Sequence, residues 1–249
     1  MSQIRPLVSW VALLVSGTMI AGCGSAPATG ATGGTSTATA ASGGCQPGAT
    51  GSATTLTVPA EPDSGVSSPT GKCWASIKPT PIDNVAVPAI PSGDSTTFQV
   101  AWSAKGLYIM STDLEWPLSD AGGANWWQDD ATEFAVSGAD DHGGAYGPNT
   151  FQFGIDNGGT LDAGTNASTA SPQPTAKVQI NKGKGFQAEL FVPWATLQVA
   201  KPAKGQVYQF NIAEDYGNAS GARVGQALWA STDATFYNST TNWGDITLG

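Results

Sequence analysis

The side chains able to do covalent or acid–base chemistry are few in this 249-residue chain: three cysteines, one histidine and 19 aspartates and glutamates. His142 is that single histidine, and no Gly-x-Ser-x-Gly elbow is present, so a serine nucleophile has no base arranged for it. Catalytic zinc would find too few nitrogen and sulfur donors. The acids are numerous enough for the opposed carboxylates of a glycosidase, yet nothing suggests a barrel presenting acids at its strand ends. A haem iron would have to take His142 and Met110 as its axial pair, from a glycine-rich loop and the middle of a strand. Catalysis is therefore not expected, and cysteine chemistry and binding are what is left.

Cys23 ends the run Ile20-Ala21-Gly22-Cys23, behind a basic start at Arg5 and an apolar core from Leu7 to Val15. That order makes residues 1–22 a secretory signal, and the cysteine at the cut makes it a lipoprotein signal, since its thiol is the atom that takes a diacylglycerol. The apolar stretch is shorter than the ~20 residues a bilayer core demands, and Ser9, Ser16, Gly17 and Thr18 dilute it. More than one acyl chain on Cys23 exceeds the marginal hold of a single chain, so the expectation is a lipid-anchored protein of the cell envelope. Gly24 rather than aspartate follows the cysteine, which leaves the outer membrane or cell surface open. In that oxidising space Cys45 and Cys73 are an even pair, expected to bridge, with two free thiols as the alternative. The bridge would close a loop of about 28 residues, worth about 3–4 kcal/mol.

Ten lysines and arginines against 19 acids give a surface that repels phosphate backbones, so nucleic acid is not expected as a partner. Nine tryptophans and 32 glycines beside only 12% charged residues suit a secreted β-protein whose loops and aromatic faces meet neutral ligands. Residues 23–71 are almost entirely Ala, Gly, Thr, Ser and Pro and read as a disordered linker, with a reach of roughly 40 Å. From 72 to 249 period-two alternation takes over, clearest where Phe98, Val100 and Trp102 alternate with Gln99 and Ala101. Leu107 and Ile109 likewise oppose Tyr108 and Met110. Further strands are expected over 132–136, 150–155, 176–180, 186–192, 206–214, 226–230 and 243–248, with turn signals at Lys105-Gly106, Asn157-Gly158-Gly159 and 182–185. Only Pro193 to Leu197 reads as a helical turn. The fold class is all-β, an antiparallel two-sheet sandwich of jelly-roll type.

Three stretches, taken in order, resemble the family 9 carbohydrate-binding modules. The first runs from Leu107-Tyr108-Ile109 and Thr112-Asp113 to Trp127-Gln128-Asp129-Asp130-Ala131-Thr132-Glu133-Phe134; the second is Gly185-Phe186 through Glu189 to Val192-Pro193-Trp194-Ala195-Thr196-Leu197. The third runs from Gly205 through 210–215 and Trp229 to Trp243-Gly244-Asp245-Ile246-Thr247-Leu248. Ile82-Asp83-Asn84 departs from the family's Asp-Gly and tryptophan, and the spacer 114–125 is unusually rich in glycine.

The resemblance implies a site that holds an oligo- or polysaccharide without cleaving it, with aromatic faces for the sugar's C–H patches and fixed polar groups for its hydroxyls. Trp116, Trp126, Trp229 and Tyr237, in or beside loops, are the aromatic candidates; Trp127, Trp102, Trp194 and Trp243 read as core or strand-capping residues. Asp113, Asn125, Arg223 and Asn242 are candidates for the polar rim, Arg223 having a salt bridge to Asp215 or Glu214 as its alternative. The resemblance also implies structural calcium, for which Asp140, Asp141, Asp156 and Asp162 supply loop oxygens that read equally as solvated turns. Two other functions stay open: a haem-binding electron-transfer sandwich and a structural surface lipoprotein.

Overall fold

The computed structural model describes residues 44–46, 50–52, 54–140 and 142–249. The signal segment and Cys23 lie outside the described residues, as does Asp141.

Fourteen strands are described: β1 Thr50–Ser52, β2 Thr55–Val58, β3 Thr80–Ile82, β4 Asn84–Val87, β5 Ser95–Trp102, β6 Gly106–Leu114, β7 Ala131–Ser137, β8 Thr150–Asp156, β9 Leu161–Ala163, β10 Thr175–Asn181, β11 Gly185–Pro193, β12 Val207–Tyr216, β13 Gly225–Leu228 and β14 Gly244–Leu248. One short helix, α1 Asp63–Val66, and four 3₁₀ turns punctuate them. The larger sheet runs β1-β2-β14-β12-β7-β8-β9, and the second half of β12 pairs with β13, which carries β4. The smaller sheet runs β10-β11-β6-β5-β3. Pairing is antiparallel except between β2 and β14.

Alternation places the core. Phe98, Val100, Leu107, Ile109, Phe134, Val136, Phe151, Phe153, Phe186, Leu190, Phe210 and Ile212 all point between the sheets and are buried. Each such side chain contributes about 1.5–3 kcal/mol on leaving water. At the turn before β11, Gly185 has φ +137°, and a Cβ there would strike the Asp113 carbonyl, so the hairpin cannot carry a larger residue.

Two expectations need correction. The segment assigned to the linker contains β2 and α1: Leu56 and Val58 alternate with two threonines, and that pair of apolar side chains is enough to seat β2 beside β14 in the core. Pro193 to Leu197 is not a helical turn; Pro193 ends β11 and the following residues form reverse turns, one closed by Val199 N–H donating to the Trp194 carbonyl at 2.9 Å. The helical pieces lie instead at α1, 72–76, 126–128, 167–169 and 236–238.

The N-terminal part covers the outer face of the smaller sheet. Val66, Cys73, Trp74 and Ile77 pack on Ala101, Tyr108 and Met110, the opposite row of β5 and β6. Gln99 donates to the Trp74 and Ile77 carbonyls at 2.6 Å each, and the Tyr108 hydroxyl donates to Asp63 at 2.9 Å. Cys45 and Cys73 are disulfide-bonded, with Cα atoms 5.0 Å apart.

Candidate functional site

On the outer face of the larger sheet, the residues that alternate with the core make a polar floor. Glu133 of β7, Gln152 of β8, Asp215 of β12 and Gln226 of β13 point away from Phe134, Phe153 and Ile212. Gln226 Nε2 donates to Glu133 at 3.0 Å and to Asp215 at 2.8 Å, and Gln152 donates to the other Glu133 oxygen. Arg223 lies over this floor, 2.9 Å from Asp215 and 3.6 Å from Glu133. Burial opposes its charge, but the two carboxylates more than offset that and raise its pKa. Asp215 is raised well above the ordinary carboxylate range, first by burial and then by Glu133, with Arg223 pulling the other way.

Walls rise on both sides. One is the 3₁₀ turn Trp126–Gln128, in which consecutive side chains diverge by about 120°. Trp126 therefore folds down while Trp127 stands out, their rings perpendicular at 84° and 5.8 Å between centroids. Gly154 makes room for the first ring: a Cβ on β8 at that position would collide with the Trp126 indole. The other wall is the turn Phe236–Asn238, whose Phe236 is buried and receives hydrogen bonds on its carbonyl from Trp243 at 3.1 Å and Tyr146 at 3.3 Å. That anchoring leaves Tyr237 outside, and Thr165 Oγ1 donates to its carbonyl at 3.0 Å.

The result is a cleft of about 420 Å³ lined by Trp126, Trp127, Glu133, Gln152, 163–165, Arg223 and Tyr237. Its upper parts are aromatic, with Trp127 41% and Tyr237 40% exposed; Trp126 is 6% exposed. Its floor offers amide donors, carboxylate acceptors and a guanidinium held in fixed positions. Such a surface suits a neutral ligand with apolar faces and a hydroxyl rim. It does not suit bond cleavage between opposed acids, because Glu133 and Asp215 share Arg223 and Gln226 on one side of the cleft.

Of the eight ligand-binding residues expected from sequence, the structure brings together Trp126, Tyr237 and Arg223. Arg223 also makes the salt bridge to Asp215 that was its alternative. Trp229 is a correction: it is 2% exposed, packed between the sheets 5.4 Å from Phe98 and 5.7 Å from Phe210. Asp113 is another, because it continues the inward row of Leu107 and Ile109 and is buried, accepting from Thr96 at 3.1 Å. Trp116, Asn125 and Asn242 are exposed but do not line the cleft; Asn242 donates to Asp233 at 3.1 Å. Trp127, read as core, is instead the more exposed indole of the cleft. Glu133 and Gln152 were missed, although their alternation with Phe134 and Phe153 put them on one outward face.

The proposed calcium residues are not gathered into one place. Asp140 lies near His142 and Asp245, with His142 Nε2 3.1 Å from Asp245 and 3.8 Å from Asp140. Asp156 sits at the other end of the β7–β8 hairpin, accepting from Thr160 N–H at 2.9 Å, and Asp162 lies next to it on β9. Burial, then Asp156 and Asp129, push Asp162 up to about 6. The haem pair fails on geometry: Met110 is buried under Trp74 on the smaller sheet, while His142 is bonded to β14 of the larger one.

A profile for the family described as "Carbohydrate family 9 binding domain-like" matches residues 68–249. Two curated relatives, both named endo-1,4-beta-xylanase A, from Thermotoga neapolitana and Thermotoga maritima, are 23% identical over 175 residues. That stretch is 70% of this chain and 16% of the length of each xylanase. Two solved structures of a family 9 carbohydrate binding module from Caldicellulosiruptor kristjanssonii, one in complex with cellotriose and one with glucose, superpose with TM-scores of 0.65 and 0.69. They are 16% and 13% identical, and the match covers 78% of this chain and 93% and 95% of theirs. Likeness that distant speaks for the sandwich, while the profile spans most of the chain: the protein belongs to the carbohydrate family 9 binding domain-like family.

Proposed function

We propose that the chain binds a neutral oligo- or polysaccharide, without cleaving it, in the cleft between the Trp126–Gln128 turn and Tyr237. The observation that carries this reading is the pairing of two exposed aromatic side chains, Trp127 and Tyr237, with a floor of Glu133, Gln152 and Arg223. Membership of a family of binding modules supports it, as do relatives in complex with cellotriose and glucose. Isothermal titration against cello-, xylo- and manno-oligosaccharides tests it. Heat of binding with at least one series, weakened at least about tenfold by Trp127→Ala, is the expected result; no heat with any glycan returns the chain to a structural role.

The leader supports a place for this binding. Lipidation at Cys23 would tether the domain to the cell envelope, where it would hold polysaccharide close to the surface for degradation by other proteins. Cys23→Ala should release the protein from the membrane fraction.

A further inference from the structure

Among the described residues, two places bring three metal-ligating side chains together. In one, Cys45, Glu61 and Cys73, both sulfurs are spent in the disulfide. The other is Asp140, His142 and Asp245, away from the cleft. Its loop, 138–149, joins β7 to β8 and is held on either side of the two ligands. Before them, Gln209 N–H of β12 donates to the Ala139 carbonyl at 3.2 Å, and Gln209 stands opposite Asp245 in the β12–β14 register. After them, the Gly144 carbonyl accepts from Thr240 N–H at 2.7 Å and Gly144 N–H donates to Thr240 Oγ1 at 3.3 Å. Asp245 alternates with the buried Ile246, so it points to the outer face of the larger sheet, where Asp140 and His142 meet it.

The spacing suits a small ion. His142 Nε2 is 3.1 Å from Asp245 Oδ1 and 3.8 Å from Asp140 Oδ1, and all three donor atoms lie within 4.8 Å of one another. Donors held at about 2.0–2.1 Å by one ion stand about 3.0–3.4 Å apart in octahedral or tetrahedral arrangement. His142 and Asp245 already have that separation, and Asp140, an exposed side chain, closes the remainder by a small rotation. Among the described residues no lysine or arginine pairs with either carboxylate. A protonated imidazole would balance one of the two negative charges, whereas a divalent ion on the neutral ring balances both. The imidazole also selects the ion: calcium takes oxygens, while one nitrogen with two carboxylates suits zinc and its neighbours.

We propose that Asp140, His142 and Asp245 bind a divalent transition ion of the zinc class, which cross-links the loop 138–149 to β14. Two ligands come from the loop and one from the strand, so the ion adds a fixed point between the hydrogen bonds at Ala139 and Gly144. The exposure of Asp140 and His142 leaves the rest of the coordination shell to water. The same loop carries Tyr146, whose ring meets Trp243 edge-on at 5.3 Å and whose hydroxyl donates to the Phe236 carbonyl at 3.3 Å. Fixing the loop therefore also steadies the contact that Tyr146 makes with the turn Phe236–Asn238.

His142 is the only histidine of the chain, so its ring reports on this site alone. Protein without an affinity tag, stripped with a chelator and labelled with ¹⁵N at histidine, is titrated with zinc chloride and, in parallel, with calcium chloride. Zinc should move the Nε2 resonance saturably and raise the melting point by about 5 °C or more once it exceeds its dissociation constant a hundredfold. Calcium at the same concentrations should do neither. Amide exchange over 142–146 should slow when zinc is added. Asp140→Asn and Asp245→Asn should each weaken zinc binding at least about tenfold, the lower end of what even an outer-shell partner is worth. His142→Asn should abolish the melting response. All three variants, stripped, should melt within about 2 °C of the stripped unmodified protein, because exposed ion pairs add little, and this separates a lost ligand from a lost fold. Asp156→Asn, at the other end of the β7–β8 hairpin, should respond to zinc as the unmodified protein does. An unmoved Nε2 resonance leaves His142 a plain ion-pair partner and overturns the site. So does zinc affinity that survives both Asp140→Asn and Asp245→Asn, or an equal response to calcium. Unchanged exchange over 142–146 overturns the cross-link.

Discussion

Removing the Trp127 ring is the cleanest perturbation of the cleft, because the ring belongs to the cleft far more than to the fold. It is 41% exposed, and its ring neighbour is the edge of Trp126. Of the roughly 250 Å² that a tryptophan can bury, this leaves about 100 Å² open to a ligand. A pyranose covering half to all of that area at about 25 cal/mol per Å² gains about 1.3–2.5 kcal/mol, or roughly a 10- to 70-fold change in dissociation constant. Trp127→Ala should therefore weaken glycan binding by that factor in isothermal titration while shifting the melting point little. Trp116→Ala is the matched control, since Trp116 is 46% exposed yet lies outside the cleft, and it should bind as the unmodified protein does. Equal losses in the two variants, or no loss in Trp127→Ala, would refute the placement of the ligand.

Gly154→Ala should push the Trp126 ring off β8, costing about 1–3 kcal/mol of stability and lowering glycan affinity together, as read by thermal melts and titration. Burial, then Asp130, raises Asp113 to about 7; burial, then Asp129, raises Asp130 to about 6; and burial, then Asp113, raises Glu214, so the folded chain keeps protons that the unfolded chain releases above about pH 4. Their contribution to stability should therefore fall as pH rises from about 4 through 7, and a melting point that climbs over that range contradicts the charge balance of these buried acids. Breaking the Cys45–Cys73 bridge by a double change to serine should cost about 2–4 kcal/mol and leave glycan affinity unchanged, because the segment it pins covers the smaller sheet and the cleft lies on the larger.

The strands of the sandwich were legible wherever a strand buries one face and wets the other. The rows Phe98-Val100-Trp102 and Leu107-Ile109 announced themselves by period two, and the structure puts them where that period requires. β2 was hidden because threonine and alanine around it matched the composition of a linker, although Leu56 and Val58 already alternate. The cleft was legible in part. Tyr237 and Arg223 stood out as an aromatic and the single arginine beyond the leader, both near loops, but a 3₁₀ turn decides which of two adjacent tryptophans faces water, and no periodicity reports that. Trp229 misled because it lies just past β13, where a side chain still points between the sheets. Asp113 misled for the opposite reason: an aspartate near a strand end suggests an exposed rim, whereas strict alternation from Leu107 sends it inward.

The claim that a glycan lies between the Trp126–Gln128 turn and Tyr237 is tested most directly by indole N–H resonances. The protein, labelled with ¹⁵N at its tryptophans, would be titrated with the oligosaccharide that gives heat. The Nε1–H signals of Trp127 and Trp126 should move together and saturate with the calorimetric dissociation constant, while those of Trp116 and Trp229 stay in place. Saturable movement of Trp116 with Trp127 unmoved would contradict the account.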